Sequence, residues 1–180
     1  GSISCIGVSP ISRKLDHVGP LARSLEDLAR LSDVLMIYDP RDEEMRADPG
    51  MRLSEALARP LNSPPRIGFA KPPAWREGDP AAFKIFEDFV ENLGDAIEAI
   101  ELPKSYGDLH DHHDKVMNAG LAYFYAEEVT RDPPLMDPRT IERIRAALPT
   151  TAGEYLRALD SVSIIEQEVY EAMSGVDALI

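Results

Sequence analysis

The chain has 180 residues, 44% of them apolar and 28% charged, and a formal net charge of −13 at pH 7. That size suits one domain with a real core, and the balance of residues argues against wholesale disorder. The negative charge opposes phosphate backbones and so argues against non-specific nucleic-acid binding, while no run approaches eighteen apolar residues and no signal-peptide pattern opens the sequence.

Residues 1–14 alternate loosely, with Ile3, Ile6, Val8 and Ile11 set among Ser, Gly and Pro. This reads as short extended segments and turns. Gly19-Pro20 then forces the chain out of helix. Ser24 is a good N-cap, with Asp27 in the capping-box position. Leu25, Leu28, Leu31 and Leu35, with Val34, recur at helical spacing and predict one buried apolar face. On the wet face, Glu26 is spaced to pair with Arg30, and Arg30 with Asp33. Pro40 disfavours helix at Asp39, so the helix should end near Ile37-Tyr38. Residues 39–65 are polar and rich in proline (Pro40, Pro49, Pro60, Pro64, Pro65), with a short helical turn expected over 53–58.

Residues 66–70 read as a buried strand that Lys71-Pro72-Pro73 ends. Asp79, with Pro80 at the first helical position, opens a helix. Ala82, Phe86, Phe89, Val90 and Leu93 are its expected buried face, and Gly94 its left-handed stop. Residues 96–102 form the following strand, closed by Pro103. Strand, helix and strand in this order predict a parallel pair with a right-handed crossover. Beyond Ser105 the chain is mostly helical. Residues 106–128 give one or two helices, interrupted or kinked near Gly120, and Arg131-Asp132-Pro133-Pro134 breaks the run. A short helix over 140–148 ends at Pro149. Thr151 with Glu154 makes a capping box that opens a long helix to about residue 174. Its expected buried positions are Leu156, Leu159, Val162, Ile165, Val169 and Met173, and Gly175 stops it. The last residues, Val176-Asp177-Ala178-Leu179-Ile180, read as a strand just begun, and a chain that stops inside a strand pattern suggests a fragment. The fold class is α/β, a mixed sheet with a parallel βαβ unit flanked by helices.

Several groups of residues invite chemistry. Ser2, Ser4, Ser9 and Ser12 lie close to Lys14, but no Ser-x-x-Lys and no Gly-x-Ser-x-Gly elbow is formed. Turn capping is the reading that the serine spacing favours. His110, His112 and His113, with Asp108, Asp111 and Asp114, are the richest metal-capable cluster, and on a helix His110, His113 and Asp114 share a face. No His-Glu-x-x-His occurs, and His17 is the only other histidine, so no metal site is assigned. Tyr123-Phe124-Tyr125 reads as core plus one exposed ring, and Glu127-Glu128 as a solvated helix edge. The lone cysteine, Cys5, cannot build a disulfide framework and fits a reducing compartment, which makes the cytoplasm the expected location.

Composition and spacing stop at a soluble α/β domain. Leu15-Asp16-x-x-Gly19-Pro20-Leu21-Ala22-Arg23-Ser24-x-x-Asp27, followed by an apolar-periodic stretch and Asp39-Pro40-x-Asp42, resembles the amidase signature family of serine amidohydrolases. Gly1 to Ser12 resembles the segment before that motif, so Gly1-Ser2 fits either the family pattern or a cloning scar. Arg66-Ile67-Gly68-Phe69, Leu93-Gly94-Asp95-Ala96 and Glu101-Leu102-Pro103 are similar to the family's middle section. Ala122-Tyr123 to Glu127, the helix from Thr140 to Ala147, Glu154-Tyr155-Leu156 and the closing Val176 to Ile180 are similar to its later section.

The resemblance implies an enzyme that hydrolyses carboxylic amide C–N bonds through a Ser–cis-Ser–Lys triad, without a cofactor. All three triad residues belong before Gly1, so no catalytic residue is carried over. Residues 1–180 are then one partial domain, lacking the catalytic core and the extreme C-terminus. The implied partners are a small amide substrate bound by the whole enzyme and the catalytic core on which this segment packs, with neither nucleic acid nor membrane; a homo-oligomer is compatible. Asp16 is the candidate substrate-side residue, and holding the turn before Gly19-Pro20 is its competing role. Two alternatives stay open. One is the A subunit of a glutamine-dependent aminoacyl-tRNA amidotransferase, although Pro138-Arg139-Thr140-Ile141-Glu142-Arg143-Ile144 stands where that subunit typically has Gly-Phe-Gly-x-Glu-Val-x-x-Arg-Ile. The other is a non-catalytic binding or scaffold protein with the same fold.

Overall fold

The computed structural model describes residues 1–46, 50, 52–131 and 136–180. Pro49 and the expected break at Asp132-Pro133-Pro134 lie outside the described residues. The chain forms two units, Gly1–Pro60 with Lys115–Thr151 and Leu61–Asp114 with Ala152–Ile180.

In the first unit, α1 (Leu25–Leu35) starts as expected, with the Ser24 hydroxyl accepting the Asp27 N–H at 3.2 Å. It closes at Leu35, short of Ile37-Tyr38, where the Met36 N–H bonds Ser32 O. The expected leucine face is corrected. Ala29 and Ser32 are the buried residues, while Leu25 is 65% and Val34 67% exposed, and Leu31 and Leu35 are exposed as well. Periodicity says which residues share a face, not whether anything covers it. Arg30 pairs with Asp27 at 3.9 Å. Asp33 instead caps α2 (Leu53–Leu57), accepting the N–H groups of Leu53 at 2.6 Å and Ser54 at 3.2 Å and the Ser54 hydroxyl. These are the donors that a helix start leaves without an intrahelical partner.

α4 (Leu109–Arg131) runs unbroken, which corrects the kink expected near Gly120. The glycine answers a close approach instead. A Cβ at Gly120 would stand 2.4 Å from Ile11 O and 3.0 Å from Ser12 Cα. α5 (Pro138–Ala147) begins before residue 140, because Asp137 accepts the Arg139 N–H at 3.0 Å and Pro138 occupies the first turn. Leu121 and Val129 of α4 and Ile141 and Ile144 of α5 form a core on which Tyr125 and Met136 pack.

The second unit holds the sheet. β1 (Ile67–Phe69), β2 (Ile97–Ala99) and β3 (Ala178–Leu179) lie in the order β2-β1-β3, all parallel. Ile67 pairs with Ile97 on one side and with Ala178 on the other. Gly68 lets the neighbours close in, since a Cβ there would meet Ile100 Cγ1 at 2.7 Å and Leu179 Cδ1 at 3.1 Å. α3 (Pro80–Leu93) joins β1 to β2, capped by Asp79 at its start and ended at Gly94, whose φ of +55° favours glycine. Its expected buried face is also corrected. Phe83, Val90 and Leu93 are half-buried, while Ala82, Phe86 and Phe89 are exposed. Trp75 stacks on Phe83 at 4.6 Å and meets Phe69 edge-on at 5.7 Å. α6 (Ala152–Ala172) buries Ala158 and Ile165; Leu159, Val162, Val169 and Met173 are half-buried, and Leu156 is exposed. The fold is thus α/β, a small parallel sheet flanked by helices. Among the described residues, no helix is long and apolar enough to cross a membrane.

Candidate functional site

The first forty-six residues fold back on themselves around buried and half-buried acceptors. Asp16 Oδ2 accepts the N–H of Ile11 at 2.8 Å and of Ser12 at 3.1 Å. The Ser12 carbonyl in turn accepts the N–H groups of Leu15 at 3.0 Å and Asp16 at 2.8 Å. The result is a closed turn over residues 11–16, before Gly19-Pro20. Ser12 is buried within it.

The turn Asp39-Pro40-Arg41-Asp42 ties a second segment to the first. Asp42 Oδ2 accepts the Cys5 N–H at 2.8 Å, and its Oδ1 accepts the Glu44 N–H at 3.1 Å. Arg46 N–H bonds Gly1 O at 2.9 Å, and Lys14 Nζ meets Glu44 Oε2 at 2.6 Å. The Cys5 N–H holds the Asp42 carboxyl below the usual carboxylate range. Asp39 is pulled down to about 2 by the Arg41 side chain, which it receives on both oxygens. Both acids therefore stay ionised at neutral pH, which unfits them to donate protons and suits them to pin N–H groups.

A cleft of about 370 Å³ opens between these segments, bordered by Cys5, Ile6, Arg13, Asp16, Asp42 and Phe124 among others. The Arg13 guanidinium lies 5.6 Å from the Phe124 ring centre and 6.0 Å from that of Tyr123, within cation–π range. Of the aromatic triplet, Tyr123 is exposed, Phe124 lines the cleft and Tyr125 packs on the core. Asp16 thus borders a cleft and holds its wall. Arg13 and Asp42 join it there without having been singled out as site residues; the sign in the sequence was the second half of the Asp39-Pro40-x-Asp42 pattern.

The serines do not gather round a base. Ser4 Oγ accepts the Ile6 N–H at 3.2 Å, and among the described residues no serine hydroxyl is hydrogen-bonded to a lysine. Lys14 is paired with Glu44 as above. His110 Nε2 and His113 Nδ1 each stand 3.8 Å from Asp114. No group of three or more His, Cys, Asp or Glu among the described residues is arranged to hold a metal ion. Glu127 pairs with Arg131 on an exposed edge of α4.

Comparison with known proteins gives this geometry a context. A family model described as Amidase matches residues 1–180. An amidase of Pseudomonas putida is 25% identical over 183 aligned residues, which take in 100% of this chain and 39% of that protein. The A subunit of the glutamyl-tRNA(Gln) amidotransferase of Hahella chejuensis is 30% identical over 106 residues, 57% of this chain and 22% of its own length. Among solved structures, a chain from a vestigial protein complex related to the origins of an s-triazine catabolic enzyme superposes with a TM-score of 0.84 at 22% identity. That match covers 99% of this chain and 38% of the other. A crystal structure of an amidase gives 0.73 at 25% identity, with the same two coverages. The chain spans about two fifths of the length of the first of these relatives.

Proposed function

Because the chain belongs to the amidase family, matched from residue 1 to residue 180, we propose that its protein is an amidase that hydrolyses carboxylic amide C–N bonds. The observation that carries this reading is the alignment of the whole chain with the Pseudomonas putida amidase. In the reaction a serine Oγ attacks the amide carbonyl while a lysine accepts its proton through a second serine. Collapse of the tetrahedral intermediate expels the amine with that proton, and water then releases the carboxylate from the acyl-serine. The serines and the lysine lie outside residues 1–180. Residues 1–180 form one partial domain that supplies part of the substrate-pocket wall and packs on the catalytic core. Asp16 is a positioning residue in this reading. It fixes the Ile11–Ser12 backbone, and with it the Arg13 side of the cleft. The protein acts in the cytoplasm.

Ammonia release from a panel of aliphatic and aryl amides tests the proposal. The product of the whole coding region should turn over at least one of them, and the 180-residue chain alone none. Turnover by the chain alone would place the nucleophile inside it. Absence of the two serines and the lysine from the flanking coding sequence would overturn the enzyme in favour of a binding or scaffold protein.

The second reading, the A subunit of a tRNA-dependent amidotransferase, draws on the 30% identity to such a protein over 106 residues. Glutamine-dependent conversion of misacylated tRNA, with the partner proteins present, would support it. Amide hydrolysis without partners would support the first.

A further inference from the structure

We propose that a second cleft, at the carboxyl ends of β1 and β2, binds a small monocarboxylate with a flat apolar body, its charge held by Lys104 and its body against Phe69. The cleft measures about 500 Å³ and is bordered by Phe69, Lys71, Ile100, Glu101, Leu102 and Lys104 among others. That is inside the roughly 300–1,000 Å³ range of small-molecule sites. Here β1 leads to the short helix Pro73–Glu77 and β2 to Lys104–Asp108.

The chemistry of the cleft narrows the ligand. Part of the backbone behind it is paired: Ile100 N–H bonds Phe69 O at 2.9 Å and Ala70 N–H bonds Ile180 O at 3.2 Å. The charge of a ligand is met by side chains. Lys71 is committed, with its Nζ 2.6 Å from Glu87 and 5.4 Å from the centre of the Trp75 ring. Lys104 is exposed and makes no ion pair among the described residues, in a chain with 32 acidic and 19 basic residues. It is the cation left for a ligand. Glu101 borders the same cleft and repels anions in proportion to their charge, so a monocarboxylate is penalised less than phosphate. The Phe69 ring is held edge-on by Trp75, itself stacked on Phe83, and the Lys71 ammonium stands 5.9 Å from its centre, so a flat apolar body meets a fixed ring on the side that Lys71 leaves open. None of this draws on the amide-hydrolysis reading.

Trp75 is the only tryptophan, so its fluorescence reports on the cleft in the 180-residue chain. Titration with benzoate should give a saturable change in Trp75 emission, with amide NMR shifts centred on Phe69, Lys71, Ala99 and Lys104. Neutral benzamide and inorganic phosphate should bind at least about fivefold more weakly, the share a solvent-exposed charge pair contributes. Lys104→Gln should weaken benzoate by about the same factor, and Lys104→Arg should restore it. No saturable response, equal binding of benzamide or phosphate, or an unchanged affinity in Lys104→Gln would each overturn the proposal. Should Lys104→Gln fail to fold by circular dichroism, the benzoate–benzamide contrast on the unaltered chain decides alone.

Discussion

Asp16 accepts two backbone N–H groups on a single oxygen, Oδ2, so an amide of the same shape can take its place. Asp16→Asn should keep both bonds through its carbonyl oxygen, whereas Asp16→Ala leaves the Ile11 and Ser12 N–H groups without an acceptor. Ser12 is buried, so the loss should be about 1–3 kcal/mol in urea unfolding for the alanine and less than half of that for the asparagine. Equal losses would mean that the charge, not the hydrogen bonds, holds the turn. A second expectation concerns acid. Asp33, Asp39, Asp42 and Asp177 all titrate below the ordinary carboxylate range, Asp39 at about 2. A depressed folded-state pKa contributes stability that is present above the unfolded value and lost as pH falls through the folded one. The fold should therefore hold down to about pH 4 and weaken from there toward pH 2. The Asp39–Arg41 pair is local and water-screened, so it contributes little to this. Asp42 reaches across 37 residues to Cys5 and Asp33 across 20 to Leu53, and Asp42→Asn should visibly flatten the acid limb followed by circular dichroism. An unfolding midpoint above pH 5 would point to other groups.

At the scale of elements, the tight positions are glycines. Adding a methyl group at Gly120 sets it 2.4 Å from a backbone carbonyl, which cannot swing aside as a side chain end can, while at Gly175 nothing lies within 4 Å. Gly120→Ala should cost about 2 kcal/mol or more, and Gly175→Ala should be close to neutral in the same thermal melt. If Gly120→Ala is tolerated, α4 does not lie against Ile11 and Ser12. Nothing local marks this contact, because Gly120 sits in an otherwise ordinary helical stretch whose neighbours suggest only a kink. Caps behave differently. Ser24 and Asp79 start their helices as expected, since a cap is written within four residues of the helix it serves. Asp137-Pro138 carries the same signal, and α5 starts there, ahead of the expected start at Thr140. The βαβ pairing of β1 and β2 was legible from strand, helix and strand in order. The covering of helix faces was not, because it depends on partners far along the chain. The site was half legible. The motif carried Asp16 and, in its Asp39-Pro40-x-Asp42 half, Asp42, but which side of the cleft each would border, and that Arg13 would join them, followed only when two distant segments met.

For the molecule as a whole, charge and exposed apolar surface pull in opposite directions. Leu25, Val34 and Ile37 of the first unit are exposed, as are Phe86, Phe89 and Ile164 of the second. Apolar faces of this kind promote association or wait for a partner. A net charge of −13 keeps copies apart through mutual repulsion. The range of that repulsion is set by salt, about 30 Å at 0.01 M and about 3 Å at 1 M. Association of the 180-residue chain should therefore be weak at low salt and grow as salt is added, the reverse of what ion-pair contacts would give. Sedimentation velocity across that salt range measures it, and a dye that fluoresces on apolar surfaces should bind at every point. Replacing Leu25 and Val34 by glutamate should lower both dye binding and the salt-driven association, since both side chains stand out from α1 without contributing to a buried core. A chain that stays monomeric throughout and binds no dye would show that these faces do not act as contact surfaces. It would also remove a physical reason for expecting α1 to pack against a catalytic core.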